Sequence, residues 1–256
     1  MPTDSASTLA VFIDLENLAI GVGDAKLGDF DIKPIFERLL DKGNVVVRRA
    51  YADWKRWETY RRPLYGAGIE LIELPGGLAS GKNSADIRMV VDVLELSYAK
   101  PHIDTFALVT GDSDFYPLVA KLRENNKRTI AVGVKASTSK LLIDTCDEFI
   151  FYDDLVRERG RRKAKGTARL PKPVQEAFDL VIDAVEALLR ENREPHSSLV
   201  KETIQRKQPQ FSEQYHGYRS FNRLLEDAAK HGLISIRKDA RSGTYVVDDV
   251  TEEANT

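Results

Sequence analysis

The sequence predicts an α/β fold, a mainly parallel β-sheet with helices on both faces, followed by a small C-terminal winged-helix domain. Three observations carry this expectation. Short apolar runs alternate with amphipathic stretches across residues 9–155, the pattern of sheets built from crossover units. A strip dense in arginine and lysine then breaks the alternation. Beyond it, three helical stretches precede two short β-like runs around a turn containing Ser242 and Gly243, the order of a winged helix.

Taken in order, Leu9 to Ile13 is a short apolar strand. Asp31 to Lys42 places Ile32, Ile35, Phe36, Leu39 and Leu40 at helical spacing and ends at Gly43. Val45 to Val47 opens a second strand, Trp54 to Tyr65 is helical, and Ile69 to Leu74 is a third strand. The glycine-rich stretch Pro75 to Lys82 reads as an exposed loop. Asn83 or Ser84 then caps a helix carrying Met89, Val90, Val93, Leu94 and Leu96 inward. Phe106 to Val109 is a fourth strand, about Asp114 to Asn126 a helix, and Thr129 to Val134 a fifth strand. A short helix over Ser139 to Thr145 and a last strand over Phe149 to Tyr152 complete the first half.

After Pro171 and Pro173, Gln175 to Asn192 reads as an amphipathic helix with Phe178, Val181, Ile182, Val185, Leu188 and Leu189 on one side. Ser197 or Ser198 caps a second helix through Leu199, Val200 and Ile204. Tyr218 to His231 is a third, ended by Gly232. Leu233 to Ile236 and Thr244 to Val247 flank the turn. The expected division is therefore residues 1–156 as one domain, 157–172 as a basic linker and 173–256 as a second domain.

Composition narrows the class. At 256 residues, with 42% hydrophobic and 30% charged residues, the chain can bury a substantial core. Met1 to Thr8 is polar and lacks the apolar region of a signal peptide. No apolar run reaches the roughly 18 residues that span a bilayer. Cys146 is the single cysteine, which excludes an intramolecular disulfide and a cysteine-based zinc site and suits a reducing cytoplasm. It is expected to be a small, buried side chain. A cytoplasmic protein with no membrane partner is the expectation; a homo-oligomer is compatible with the chain but not readable from it.

The net charge of −2 conceals an asymmetry. Arg157 to Lys172 carries eight basic residues and one acid, giving +7, against −5 for residues 1–156 and −4 for 173–256. Such a strip points to a polyanionic partner near the junction.

Acids mark the chemistry. Asp14 follows the first strand directly, within Phe12-Ile13-Asp14-Leu15-Glu16-Asn17. Asp112 and Asp114 follow the fourth, within Thr110-Gly111-Asp112-Ser113-Asp114-Phe115. In an open parallel sheet, ligands bind beyond the carboxyl ends of the strands. Asp86, in Lys82-Asn83-Ser84-Ala85-Asp86, sits in the first turn of a helix that can bring it over the same edge. Carboxylates gathered at one place call for a hard divalent cation, and a few of them suffice for one Mg2+ site. The implied chemistry is phosphodiester hydrolysis. Asn17 is a neutral donor that can orient a water or a phosphate oxygen. Glu16 and Asp92 are weaker candidates, Asp92 being compatible with a solvated helix face.

Beside the acids, Arg48, Arg49, Tyr51, Trp54, Lys55, Arg56, Trp57, Arg61 and Arg62 interleave cations with aromatics after the second strand. The cations suit phosphates, and an aromatic ring suits an unpaired base. Trp54 or Trp57 serves equally well as a core residue. Lys82 suits a phosphate contact and serves equally well in an ordinary surface loop. The three histidines of the second half, His196, His216 and His231, lack metal-ligand spacing.

These motifs resemble those of the NYN domain, a PIN-like nuclease fold that includes the LabA-like bacterial proteins. The resemblance covers residues 9–155 and rests on Phe12-Ile13-Asp14 with Asn17, Lys82 with Asp86, and Thr110 to Phe115. It implies a Mg2+- or Mn2+-dependent ribonuclease acting on RNA, single-stranded in the first instance. Asp14, Asp86, Asp112 and Asp114 are then metal ligands or holders of metal-bound water, with Asn17 supporting. Arg48, Arg49, Lys55, Arg56, Lys82 and Ser113 become the candidate substrate contacts.

Residues 174–248 resemble the LOTUS domain, also called OST-HTH. The resemblance lies in Tyr218-Arg219-Ser220-Phe221, Leu224-Leu225-Glu226, His231 to Ile234 and Tyr245-Val246-Val247. It implies RNA binding or protein contact. Two other functions fit the same sequence: a non-catalytic RNA-binding or scaffolding protein, and a DNA-binding regulator using the winged helix. The net acidity of the second domain weighs against the latter.

Overall fold

A computed structural model describes residues 6–73, 81–164, 170–239 and 243–251, with side chains left out at 81–84 and 161–164. The chain forms two compact units that part just after residue 164. The first is built on six parallel strands in the order β3-β2-β1-β4-β5-β6. They are β1 (Ser7–Asp14), β2 (Gly43–Ala52), β3 (Glu70–Glu73), β4 (Thr105–Val109), β5 (Arg128–Gly133) and β6 (Glu148–Phe151).

Strands β1, β4 and β5 are near-continuous runs of Val, Ile, Leu, Phe and Ala because both of their faces are covered. The pleat divides them between two layers. Leu9, Val11 and Ile13 of β1 join Leu18, Val22, Ile35, Leu39 and Leu155 on one side. Ala10 and Phe12 join Met89, Val93, Phe115, Leu118 and Leu122 on the other. Phe12 stacks on Phe106 of the neighbouring strand with ring centroids 6.3 Å apart.

The helices of the first layer are α1 (Leu15–Asp24), α2 (Lys33–Lys42), α3 (Glu58–Gly66) and α7 (Tyr152–Ala164). Those of the second are α4 (Gly81–Ala99), α5 (Tyr116–Glu124) and the short α6 (Lys140–Thr145). Helix α1 has no counterpart in the sequence reading. Its Leu15, Leu18, Ala19 and Val22 are buried at helical spacing, but Gly21 and Gly23 obscure the pattern. Gly21 has a packing reason, since a Cβ there would stand 2.5 Å from Ser137 Oγ.

Helix α7 likewise has no counterpart in the sequence reading. It runs through Ala164, so the anticipated boundary at 156/157 falls inside it and the first half of the basic strip is helical. Tyr152 is buried with its hydroxyl at 2.9 Å from the Asp31 N–H, Arg38 pairs with Glu158 at 2.6 Å, and Arg159 pairs with Asp31. These contacts tie α7 to the sheet unit. Helix α4 begins at Gly81, which puts Asn83 and Ser84 inside its first turn rather than at its cap. Cys146 is half-buried. Burial first, and then the Asp147 charge, push its thiol up to about 12.

The second unit contains α8 (Lys172–Arg190), α9 (Ser197–Lys207), α10 (Phe221–Lys230) and an antiparallel pair, β7 (Ile234–Lys238) with β8 (Tyr245–Val250). Its core joins Phe178, Val181, Val185 and Leu188 of α8 to Val200, Ile204, Phe221, Leu224, Leu225 and Val247. Helix α9 is not capped by a serine: His196 is its N-cap without a side-chain bond, and Ser197 is buried. Helix α10 starts three residues later than expected because Ser220 caps it, accepting from the Arg223 N–H. Tyr218 packs beside Phe178 and donates to Asp227 at 2.7 Å. Gly232, with φ of +71°, ends that region in the left-handed conformation glycine tolerates. Among the described residues, no helix is long and apolar enough to cross a membrane.

Candidate active site

Strand order decides where the acids meet. From β1 the chain winds one way through β2 and β3, then returns to place β4 on the other side of β1. This reversal leaves a crevice at the carboxyl ends of β1 and β4, the place where open α/β sheets bind ligands. Ile13 pairs with Val109, so the next residues, Asp14 and Thr110, flank that crevice. Two motifs almost a hundred residues apart are thereby one site.

Hydrogen bonds weld them together. Thr110 Oγ1 donates to Asp14 Oδ2 at 3.1 Å and accepts from the Asp112 N–H at 3.2 Å. Asn17 Oδ1 accepts from the Gly111 N–H at 2.9 Å, while the Asn17 N–H donates to Asp14 Oδ1 at 3.2 Å. Asp14 is thus both the N-cap of α1 and a site residue. Gly111 is required by the loop after β5, because a Cβ would meet Thr138 Oγ1 at 2.9 Å and Thr138 Cα at 3.2 Å. Asp112 caps the 3-10 turn Ser113–Phe115 by accepting from the Asp114 N–H at 3.0 Å. Ser113 and Asp114 are exposed, and Asp112 is half-buried.

Asp14 is only 8% exposed. Burial raises its carboxyl to about 7, and the charges of Asp86 and Asp112 push the same way. The Asn17 N–H and the Thr110 hydroxyl oppose that shift without cancelling it. Asp86 on α4 and Asp112 after β4 therefore both act on Asp14. Asp114 lies at the exposed rim. Among the described residues, no three acidic, histidine or cysteine side chains stand close enough to hold a metal by themselves. The donor set nevertheless suits Mg2+ or Mn2+: it is all carboxylate oxygen, and Mg2+ is ordinarily bound through one or two carboxylates, with water and phosphate completing its shell. Asp14 and Asp112 are the carboxylates that could hold such an ion.

The cationic stretch is arranged differently from expectation. Strand β2 is longer than its apolar start suggests, so Arg48 and Arg49 lie within it rather than beyond its end. Arg48 sits over the Phe36 ring at 5.0 Å and donates to the Ala67 carbonyl at 3.0 Å. Burial lowers its pKa. Arg49 pairs with Glu70 at 2.8 Å and lies 3.8 Å from Asp92. Both are half-buried and engaged with partners inside the sheet unit. Lys55 and Arg56 are exposed in the turn after β2, at the carboxyl edge. Trp54 is a core residue, 1% exposed, with its indole N–H on the Ile72 carbonyl at 2.9 Å. Trp57 packs half-buried against the same core. Lys82 lies outside the described side chains.

Glu16 accepts from the Asp53 N–H at 3.2 Å and lies 3.9 Å from Arg56, fastening the turn that carries Lys55 and Arg56. Asp92 is not on a solvated face. It is 4% exposed and accepts from the Tyr51 hydroxyl at 2.8 Å, with Arg88 Nε at 3.0 Å. The residue missed by sequence reasoning is Thr110. Its position between the last apolar residue of β4 and a glycine is the available signal, and only strand pairing reveals which carboxylate it holds.

With this geometry in view, the comparisons with known proteins are informative. The NYN domain model matches residues 8–153. The chain belongs to the NYN domain family. Members of this family are generally nucleases, and NYN and other PIN-like nucleases usually use divalent metals. An uncharacterized protein of Methanocaldococcus jannaschii is 29% identical over 160 residues, which cover 61% of this chain and 61% of that protein. The chain thus spans about three fifths of the length of that relative. A crystal structure of a protein of unknown function from Vibrio parahaemolyticus is 28% identical, with a TM-score of 0.53 over 60% of this chain and 98% of its own.

Proposed function

We propose that this NYN protein is a Mg2+- or Mn2+-dependent ribonuclease acting on single-stranded RNA. The observation that carries the reading is Asp14, a buried carboxylate whose charged neighbours, among the described residues, are two more carboxylates. A bound divalent ion would neutralise this cluster, lower the pKa of a water and offset the charge developing on the phosphate. Asp14, Asp86 and Asp112 hold that charge at the crevice, and Asp114 extends the acidic rim. Thr110 fixes the orientation of Asp14 by binding Oδ2, leaving the carboxylate no free rotation. Asn17 commits its amide oxygen to the Gly111 N–H, so its amide nitrogen is the end that donates to a phosphate oxygen or a water. Lys55 and Arg56, exposed beside the crevice, neutralise the strand's phosphates, and Ser113 offers a hydroxyl at the rim. The second unit, read as a LOTUS-like module, selects or tethers the RNA.

The test is incubation of the wild type and Asp14→Asn with a mixed RNA pool in Mn2+, with the product ends mapped. Metal-dependent cleavage by the wild type and none by the variant, with RNA binding preserved in both, is the expected result. Equal cleavage by the two proteins would remove the assignment.

A further inference from the structure

Helix α4 is apolar on both of its faces. Met89 and Val93 point into the sheet layer and are fully buried. On the opposite side, Ile87, Val91 and Tyr98 are 64%, 53% and 63% exposed, with the partly buried Leu94 between them. These four positions are spaced four, three and four residues apart, which places them in one narrow stripe along the helix. A helix that is apolar all round is ordinarily buried, and a 4-3-4 stripe is the seam of a coiled-coil pair.

We propose that this stripe is a homodimer interface, in which α4 of one copy packs antiparallel against α4 of a second copy. Two features favour a second copy over an unrelated partner. The spacing is unchanged on reversal, so an antiparallel copy sets Ile87 against Tyr98 and Val91 against Leu94, each twice. The flanking charges are also self-complementary. Arg88 and Glu95 lie on the same side of the stripe, seven residues apart, so a two-fold axis across the seam brings Arg88 of each copy beside Glu95 of the other. Arg88 Nε is bonded to Asp92, and the side chain is 60% exposed. Glu95 is exposed.

Four side chains from each copy make a seam smaller than the roughly 1,200 Å² of a standard stable interface. The dimer is therefore reversible and forms with concentration. Asp86 immediately precedes the stripe and lies away from the Arg88–Glu95 side, so the two copies of Asp86 share one side of the dimer. At 1.5 Å per residue they stand about 20 Å apart along the helices.

The test is sedimentation velocity on the full chain from about 1 to about 200 μM, the range in which a reversible dimer of this size exchanges. The wild type is expected to move from the 28.8 kDa monomer toward twice that mass, and Val91→Glu/Tyr98→Glu to stay monomeric with an unchanged circular dichroism spectrum. On mild oxidation, Ile87→Cys/Tyr98→Cys is expected to cross-link into a covalent dimer, whereas Ile87→Cys alone is not, since those positions lie about 16 Å apart across an antiparallel seam. A wild type that stays monomeric throughout, a dimer indifferent to Val91→Glu/Tyr98→Glu, or cross-linking by Ile87→Cys alone would each overturn the proposal.

Discussion

Asp14 and Asp92 are both nearly buried carboxylates of the sheet unit, yet their surroundings are opposite in sign. Asp92 accepts from the Tyr51 hydroxyl and stands beside Arg88 and Arg49. Burial first, and then the Asp92 carboxylate, push the Tyr51 phenol well above its ordinary value, so it remains a donor across the working pH range. Asp14 accepts one N–H and one hydroxyl, and its neighbouring charges are Asp86 and Asp112. The first arrangement completes itself within the chain and serves the fold. In the second, the charges that the described residues bring to Asp14 have its own sign, as the proposed metal site requires.

The sharpest way to break this comparison is at Asp14. Asp14→Asn is expected to lower Mn2+-dependent RNA cleavage by more than about a hundredfold, since loss of even a supporting residue around a metal costs about 10- to 100-fold. Product formation in single-turnover assays measures it, with RNA binding as the control.

A pH series on the metal-free protein addresses the same residue from the stability side. Burial pushes the Asp14 carboxyl up to about 7 in the folded protein, from an ordinary 3.8. Between those two values the folded state holds a proton that the unfolded state has released. Stability therefore falls as pH rises from about 4 to about 7 and levels off above, by up to a few kcal/mol. Denaturation of the wild type and Asp14→Asn across this window checks the sign: the variant should lack the fall and be the more stable protein at pH 8. Added Mn2+ should narrow that gap by stabilising the wild type alone.

Asp92→Ala should behave in the opposite manner. It strands the buried Tyr51 hydroxyl and costs about 2 kcal/mol at neutral pH, with or without Mn2+, as urea denaturation would show. A metal-dependent cost would place Asp92 in the site instead. The smallest effect is expected for Thr110→Val, which frees Asp14 to rotate and should weaken Mn2+ binding by about tenfold by calorimetry. Thr110→Ser, retaining the hydroxyl, should restore most of it.

The strands were readable because parallel strands covered on both faces leave unbroken runs such as Leu9 to Ile13 and Phe106 to Val109. Acids directly behind such runs marked the sheet's carboxyl edge. Other features left no periodic trace. Helix α1 carries two glycines within ten residues, and α7 continues into a segment whose composition resembles a linker. Arg48 and Arg49 looked like residues past a strand because charges end an apolar run; each is accommodated inside β2 by a partner brought from elsewhere, Ala67 for one and Glu70 for the other. Asp92 and Trp54 were ambiguous for the same reason, since one chain position does not say which face of a helix or turn is covered.

By itself, the sequence determined the fold class, most of the strands and helices and the family, because periodicity and short motifs are local properties of the chain. The tertiary structure alone decided that β1 and β4 are neighbours, that Thr110 holds Asp14, and that Asp92 lies beside Arg88 and Arg49 while Asp14 faces Asp86 and Asp112. Those facts depend on which groups long-range packing brings within a few ångströms, where burial strengthens every charge interaction. A buried aspartate is a structural acid or a metal-site acid according to its neighbours, and its neighbours here are set by the order of the strands.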